Sequence, residues 1–502
     1  MNLKNWKLAV FILLCLFIAS QSAQAQLFDA MKAQVKEQRL DNGMTFIVLE
    51  RHDAPVVSFH VYADVGSANE SYGITGISHL LEHMAFKGTK IVGTTDFEAE
   101  IKLFEQMDVL YDQIIREKYS AKPDTIKIAR LNDELEVLRK QAKDYVINNE
   151  YFDMMMQQGD AGVNAYTSTD ATQYINSLPS NKLEFWMSMT SDRFLNPVIR
   201  EFFKEKDVVM EERRLGLESQ PIGKLVEDFL ATAFKAHPYQ HSVVGHMSDL
   251  EKITRADVEA YFEKYYQPSN LTVAIVGDVK AKQVFNMAEL YFGRIPSGAR
   301  PEPVRTQEPE QWGERYVKVE AKSQPILLVG YHRPAETNED DAALEALANI
   351  LGQGRSSRLW EVMVKQEKAA IQTGCFNGFP GSKYPNLIAF FSMAAKDRTS
   401  EECLQLMDRE IEKIKQESVT ESELTKFKQS QKKVIISQMK SNSGMAATLT
   451  HYAEVHGDWR VTFDQIEAID KITAADVKRV ANKYLVNKNR TIGEIIPEDA
   501  AE

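Results

Sequence analysis

The chain has 502 residues, with 72 Asp and Glu against 60 Lys and Arg, a formal net charge of −12 at neutral pH. An acidic chain of this kind has no electrostatic footprint for nucleic acid. Three cysteines in so long a chain exclude a disulfide-built scaffold, and the length suits two substantial domains.

The first 25 residues read as an export signal. Lys4 and Lys7 form a basic start, Leu8 to Ala19 an apolar run, and Ala23-Gln24-Ala25 a small-residue cleavage site before Gln26. The run is too short for a comfortable transmembrane helix, and if uncleaved it would serve as a membrane anchor. Cys15 lies inside the run and no cysteine follows the cut, which argues against lipid attachment. Cleavage removes two lysines and no acid, taking the formal charge from −12 to −14. Export points to the periplasm, where oxidising conditions would permit Cys375 and Cys403 to form one bridge. The acidic surface would suit basic segments in a substrate, although it serves solubility equally well.

Val56 to Val65 alternates in the manner of a strand, and Gly66 to Gly73 supplies a polar turn. The turn feeds His79-Leu80-Leu81-Glu82-His83. On a helix, positions i and i+4 share a face, so the two imidazoles can converge on one metal ion with Glu82 close by. Zinc held by three protein ligands keeps a fourth position for water, lowers its pKa to about 7 and needs a carboxylate to take the proton. HxxEH is the reverse of the HExxH zincin pattern. The bland alternative is an amphipathic helix with two surface histidines.

Gly76-Ile77-Ser78 before the pentapeptide and Met84-Ala85-Phe86-Lys87-Gly88-Thr89 after it resemble the zinc helix of the pitrilysin/insulinase family. Within that family the resemblance runs to mitochondrial processing peptidase and its bacterial relatives. The resemblance implies a third ligand to Zn2+ in the stretch from Glu205 to Glu212, where the family carries two glutamates seven apart. Glu212 is then the ligand, and Glu205 supports the catalytic set by holding the ligand groups in place. The two lie about two turns apart on one face, whereas Glu211 points about 100° around the helix from Glu205. Without the resemblance this stretch is an acidic solvated helix face. Asn164-Ala165-Tyr166-Thr167-Ser168 resembles the family's active-site edge strand, where the peptide to be cut is paired by main-chain hydrogen bonds and Asn164 helps hold it.

The separation of His83 from Glu212 is longer than in typical members, with the excess near residues 101–160. Ile101 to Glu117 and Ile126 to Val146, on either side of Pro123, carry helical apolar spacing, so a hairpin is expected. It would be a lid, a partner-docking arm or a plain surface elaboration. His237, His241 and His246 suggest a second metal on paper, but Pro238 breaks their helical spacing and a turn is the better reading. No phosphate loop or Ser nucleophile elbow occurs.

Pro296, Pro301, Pro303 and Pro309 mark a linker, 294–314, between halves at 26–293 and 315–502. Each half ends alike. Ile253-Thr254-Arg255-Ala256-Asp257-Val258 runs to Lys264-Tyr265 and a strand at Leu271 to Val276; Ile472-Thr473-Ala474-Ala475-Asp476-Val477 runs to Lys483-Tyr484 and a strand at Thr491 to Ile496. In both, the Thr suits a helix N-cap. Taken with the resemblance, the expected fold is α+β: two tandem processing-peptidase-like domains, each a mostly antiparallel sheet flanked by helices. The second half lacks the metal helix, since Ala342 to Ile350, after the strand Ile326 to Tyr331, is helical in pattern without His.

Gly352-Gln353-Gly354-Arg355-Ser356-Ser357-Arg358-Leu359 resembles the glycine-rich loop that helps admit substrate, which adds Gly352 and Gly354 to the substrate-binding set. Single-chain and homodimeric relatives follow the loop with an Arg and, seven residues on, a Tyr that help bind substrate and stabilise the oxyanion. Here those positions hold Val364 and Ile371, or Lys365 and Gln372 in the adjacent register. The missing pair implies a dimer with a sibling subunit that supplies it; Lys365, Arg355 and Tyr384 are the alternatives within the chain. The sequence thus describes an exported zinc endopeptidase acting on extended or unfolded peptides. The competing reading is a non-catalytic peptide-binding or assembly subunit.

Overall fold

The computed structural model describes residues 28–498, so the expected export signal lies outside the described residues. Two sheets organise the chain. The first contains β1 (Lys36–Arg39), β2 (Thr45–Glu50), β3 (Val56–Ala63), β4 (Asn164–Thr167), β5 (Thr172–Pro179) and β6 (Leu271–Gly277), in the order β1-β2-β6-β3-β5-β4. The second contains β7 (Arg315–Ala321), β8 (Ile326–Arg333), β9 (Ala370–Phe379), β10 (Asn386–Ala394) and β11 (Arg490–Pro497), in the order β7-β11-β8-β10-β9. Every neighbouring pair is antiparallel except β2 with β6 and β7 with β11. With β1 set aside, the orders correspond strand for strand and the parallel pair falls in the same place. The chain is α+β and internally duplicated.

Seven helices position the site. They are α1 (Ile77–Met84), the hairpin α2 (Phe97–Lys118) and α3 (Thr125–Lys143), α4 (Phe202–Arg213), α5 (Pro221–Ala233), α6 (Asp341–Gly352) and α7 (Asn442–Val455). The hairpin begins four residues before the expected Ile101 because Asp96 caps it, accepting the Ala99 amide at 3.0 Å. Asp124 caps α3 through the Ile126 and Lys127 amides. Thr254 and Thr473 are the expected N-caps, and each forms a capping box with the Asp three residues on. Cys375 and Cys403 are separate buried thiols.

The apolar faces of α5 and α7 explain how the sheets join. Leu225, Phe229, Leu230 and Ala233 of α5, from the first half, pack against Leu328, Leu387 and Ile495 of the second sheet. Met445, Ala446 and Leu449 of α7, from the second half, share a core with Ile47, Leu49, Ala274 and Val276 of the first sheet. Each half therefore lends a helix to the other's sheet. Thr450 Oγ1 meets the buried His60 Nδ1 of β3 at 2.7 Å across that junction.

Candidate functional site

Helix α1 starts at a backbone position that favours glycine. Gly76 has φ 88°, and a Cβ there would collide with the Val244 carbonyl oxygen. The helix has no capping side chain of its own, and Glu70 fills that role from upstream: Oε2 accepts the Gly76 amide at 2.7 Å and Oε1 the Ser78 amide at 2.8 Å. Asp249 Oδ2 holds the preceding turn, accepting from the Gly73 and Thr75 amides and from Thr75 Oγ1. Two carboxylates thus fix the angle at which the histidine-bearing helix enters.

The Nε2 atoms of His79 and His83 stand 3.6 and 3.7 Å from Glu212 Oε2 on α4. One donor atom from each of the three residues lies within 4.8 Å of the other two. Those gaps are too long for hydrogen bonds, yet they approach the edge of a tetrahedron with zinc–nitrogen distances of ~2.0–2.1 Å, which is about 3.4 Å. Two imidazoles and a carboxylate at this spacing fit zinc. Burial, and then the neighbouring His83, push the His79 pKa down to about 4, leaving the neutral ring that a metal requires. Burial opposes charge on His83 as well, but its hydrogen bond to Glu205 and the charges of Glu212 and Glu82 outweigh burial and raise its pKa.

Glu205 is buried beside His83, with Oε2 at 3.3 Å from Nδ1 and Oε1 at 2.6 Å from Lys87 Nζ. An Nδ1–H donated to Glu205 leaves the Nε2 lone pair facing Glu212. Glu211 lies off this face, exposed and paired with Arg214 at 3.1 Å.

Glu82 projects toward the edge of the first sheet, where its Oε2 accepts the Thr167 hydroxyl at 2.7 Å. Burial raises the Glu82 pKa, against the lowering effects of Thr167 and His83, which brings a carboxylate closer to the range of a working general base. Thr167 ends β4, the outermost strand, on which Asn164 and Tyr166 are exposed and Ala165 faces inward. Gly352 closes α6 against Cys375 of β9, and Gly354 has φ 82°. Among the described residues this loop makes no hydrogen bond to the histidine-bearing helix. Lys365 pairs with Glu361 at 2.5 Å, Arg355 lies over Trp360, and the Tyr384 hydroxyl accepts the Val304 amide. The three in-chain alternatives to the Arg/Tyr pair are thus engaged locally. His237 begins the turn Pro238–Gln240 and accepts the Tyr239 amide.

Two family models match the chain. "Insulinase (Peptidase family M16)" covers residues 46–106, which hold His79, Glu82 and His83, and "Peptidase M16 inactive domain" covers 252–431. Both models are of the insulinase (M16) family, and it is to members of that family that the chain is similar. It is 28% identical over 464 residues to the zinc protease PqqE of Helicobacter pylori, covering 90% of each. It is 23% identical over 479 residues to a probable mitochondrial-processing peptidase subunit beta of Arabidopsis thaliana, covering 91% of this chain and 77% of that one. A solved protease from Helicobacter pylori matches with a TM-score of 0.77 at 26% identity, over 92% of this chain and 99% of that one.

Three further residues touch the candidate site without standing out in the sequence: Glu70, Lys87 and Thr167. Lys87 lies in the stretch Met84–Thr89 and Thr167 in Asn164–Ser168, but sequence spacing does not show their partners. Glu70 has no local pattern, because its work is done on amides of a turn that only the fold brings round.

Proposed function

We propose that this protein is an exported zinc endopeptidase that cuts extended or unfolded peptide segments. The observation that carries the reading is Glu82, a partly buried carboxylate held by Thr167 on the same helix as His79 and His83. His79, His83 and Glu212 would hold Zn2+, with Glu205 and Lys87 fixing His83. Bound there, zinc supplies a Lewis acid for the scissile carbonyl and lowers the pKa of a water to about 7. Glu82 takes a proton from the attacking water and later gives it to the leaving amine. The free main-chain groups of β4 pair an extended peptide as an added strand, with Asn164, Ala165 and Tyr166 along it. Gly352 and Gly354 belong to the loop that admits the peptide.

The finer assignments are part of the same proposal. Residues 1–25 direct the chain to the periplasm, and 26–293 and 315–502 form the two domains, joined by 294–314. No helix among the described residues is long and apolar enough to cross a membrane. The absent Arg/Tyr pair makes the working form a dimer with a sibling subunit. Zinc analysis alongside peptide hydrolysis tests the reading, with about one equivalent of zinc and metal-dependent turnover expected. A chain that takes up no zinc would overturn it; one that binds zinc yet cuts nothing beside its sibling would be the non-catalytic subunit.

A further inference from the structure

A cavity of about 420 Å3 opens between the hairpin α2/α3 and the first turn of α4. That volume lies within the range of small-molecule sites, about 300–1,000 Å3. Its floor is apolar, built from the buried side chains of Phe104, Met107, Ala142 and Phe202.

The charges around it are unbalanced. The two acids of its lining are both engaged: Glu136 lies 3.5 Å from Arg139, which also meets Asp207 at 3.3 Å, and Glu201 lies 2.7 Å from Lys204 and 3.4 Å from Lys87. Arg255 is occupied by Asp108 at 3.1 Å. Lys140 and Lys143, three apart and so on one face of α3, are exposed at the rim and make no ion pair among the described residues. Helices supply most of the wall, so the cavity offers no strand edge to a peptide backbone. Two ammonium groups free of ion pairs among the described residues, above an apolar floor, match a molecule with one anionic head and an apolar body.

We propose that this cavity is a binding site for a small amphiphilic anion, an aliphatic carboxylate or an aromatic sulfonate, separate from the peptide-cutting site. Titration of the full-length protein with anilinonaphthalene sulfonate, followed by dye fluorescence, tests it. One equivalent should bind saturably, and added salt should weaken binding by screening the lysines. Replacing both rim lysines, Lys140→Glu with Lys143→Glu, should weaken binding at least tenfold, and Ala142→Trp, which fills the floor, should abolish it. The rim variant alters exposed positions, so it stands as the test if the filled variant fails to fold. Displacement of the dye by decanoate would mark the aliphatic class, and displacement by aromatic sulfonates alone the aromatic one. No saturable binding by the wild type, or equal binding by the folded rim variant, overturns the proposal.

Discussion

Lys87 is tied to His83 through a single carboxylate, Glu205, which takes the lysine on one oxygen at 2.6 Å and faces the imidazole with the other at 3.3 Å. Lys87→Met leaves that buried carboxylate free to turn from the ring. Zinc affinity, measured by competition with a chelator, should fall by about 10- to 100-fold, the usual effect of losing a group that orients a metal ligand. Lys87→Arg should restore most of it, since a guanidinium can reach the same oxygen.

Glu82→Gln keeps the shape of the side chain and removes its ability to accept a proton. Hydrolysis should drop by about 10²- to 10⁴-fold while zinc stays at one equivalent per chain. A variant with near-wild-type turnover would remove Glu82 as the base.

Glu212→Gln should lower zinc content and activity together, because a charged donor facing both histidines is lost. Glu211→Gln should change neither, as Glu211 points to solvent and pairs with Arg214. Metal analysis of the two variants decides the helical register.

Stability should depend on pH through Glu336, which lies 2.8 Å from His451 and 3.1 Å from His456. Burial opposes charge on Glu336, yet hydrogen bonds from the two histidines outweigh it and hold the carboxyl well below its ordinary range. Burial also opposes charge on His451, and its Glu336 partner outweighs that and raises the pKa. The depressed carboxyl stabilises above its unfolded pKa of about 4.3 and loses this as pH falls, while the raised imidazole stabilises below about 6.5 and loses this as pH rises through its folded value. Both act fully between those limits. Urea midpoints should therefore separate wild type from Glu336→Gln most near pH 5 to 6, and less toward about pH 8 or 3. A gap that stays constant across that range would count against the pairing.

The absent Arg/Tyr pair predicts that the chain alone binds zinc but cleaves unfolded peptides poorly. Losing one oxyanion donor typically costs about 10²- to 10³-fold in rate. Adding a sibling subunit without HxxEH, but with an Arg and a Tyr seven apart after its glycine-rich loop, should raise the rate at least tenfold. Full turnover by the purified chain, shown free of partner, would refute the need for two subunits.

What could be read from the sequence was what depends on local spacing. His79 and His83 at i and i+4 and the Thr254 and Thr473 N-caps are legible from spacing within a helical turn or two, whereas Glu205 and Glu212 come with the family resemblance. Thr167 meets Glu82 across 85 positions, and no periodicity reaches that far. The apolar faces of α5 and α7 show the further limit, since an apolar stripe on a helix does not say which sheet it will cover. Pairing each helix with the other half's sheet is decided by tertiary packing.

That exchange of helices bears on how the molecule melts. Pulling the halves apart would expose Leu225, Phe229 and Leu230 on one side and Met445 and Leu449 on the other, at about 1.5–3 kcal/mol for each large side chain. The total approaches the whole stability of an ordinary domain, about 5–15 kcal/mol. A half stripped of its neighbour's helix is therefore not a viable intermediate. Calorimetry should record one cooperative transition for the full chain, and either half expressed alone should be insoluble or molten until the other is supplied.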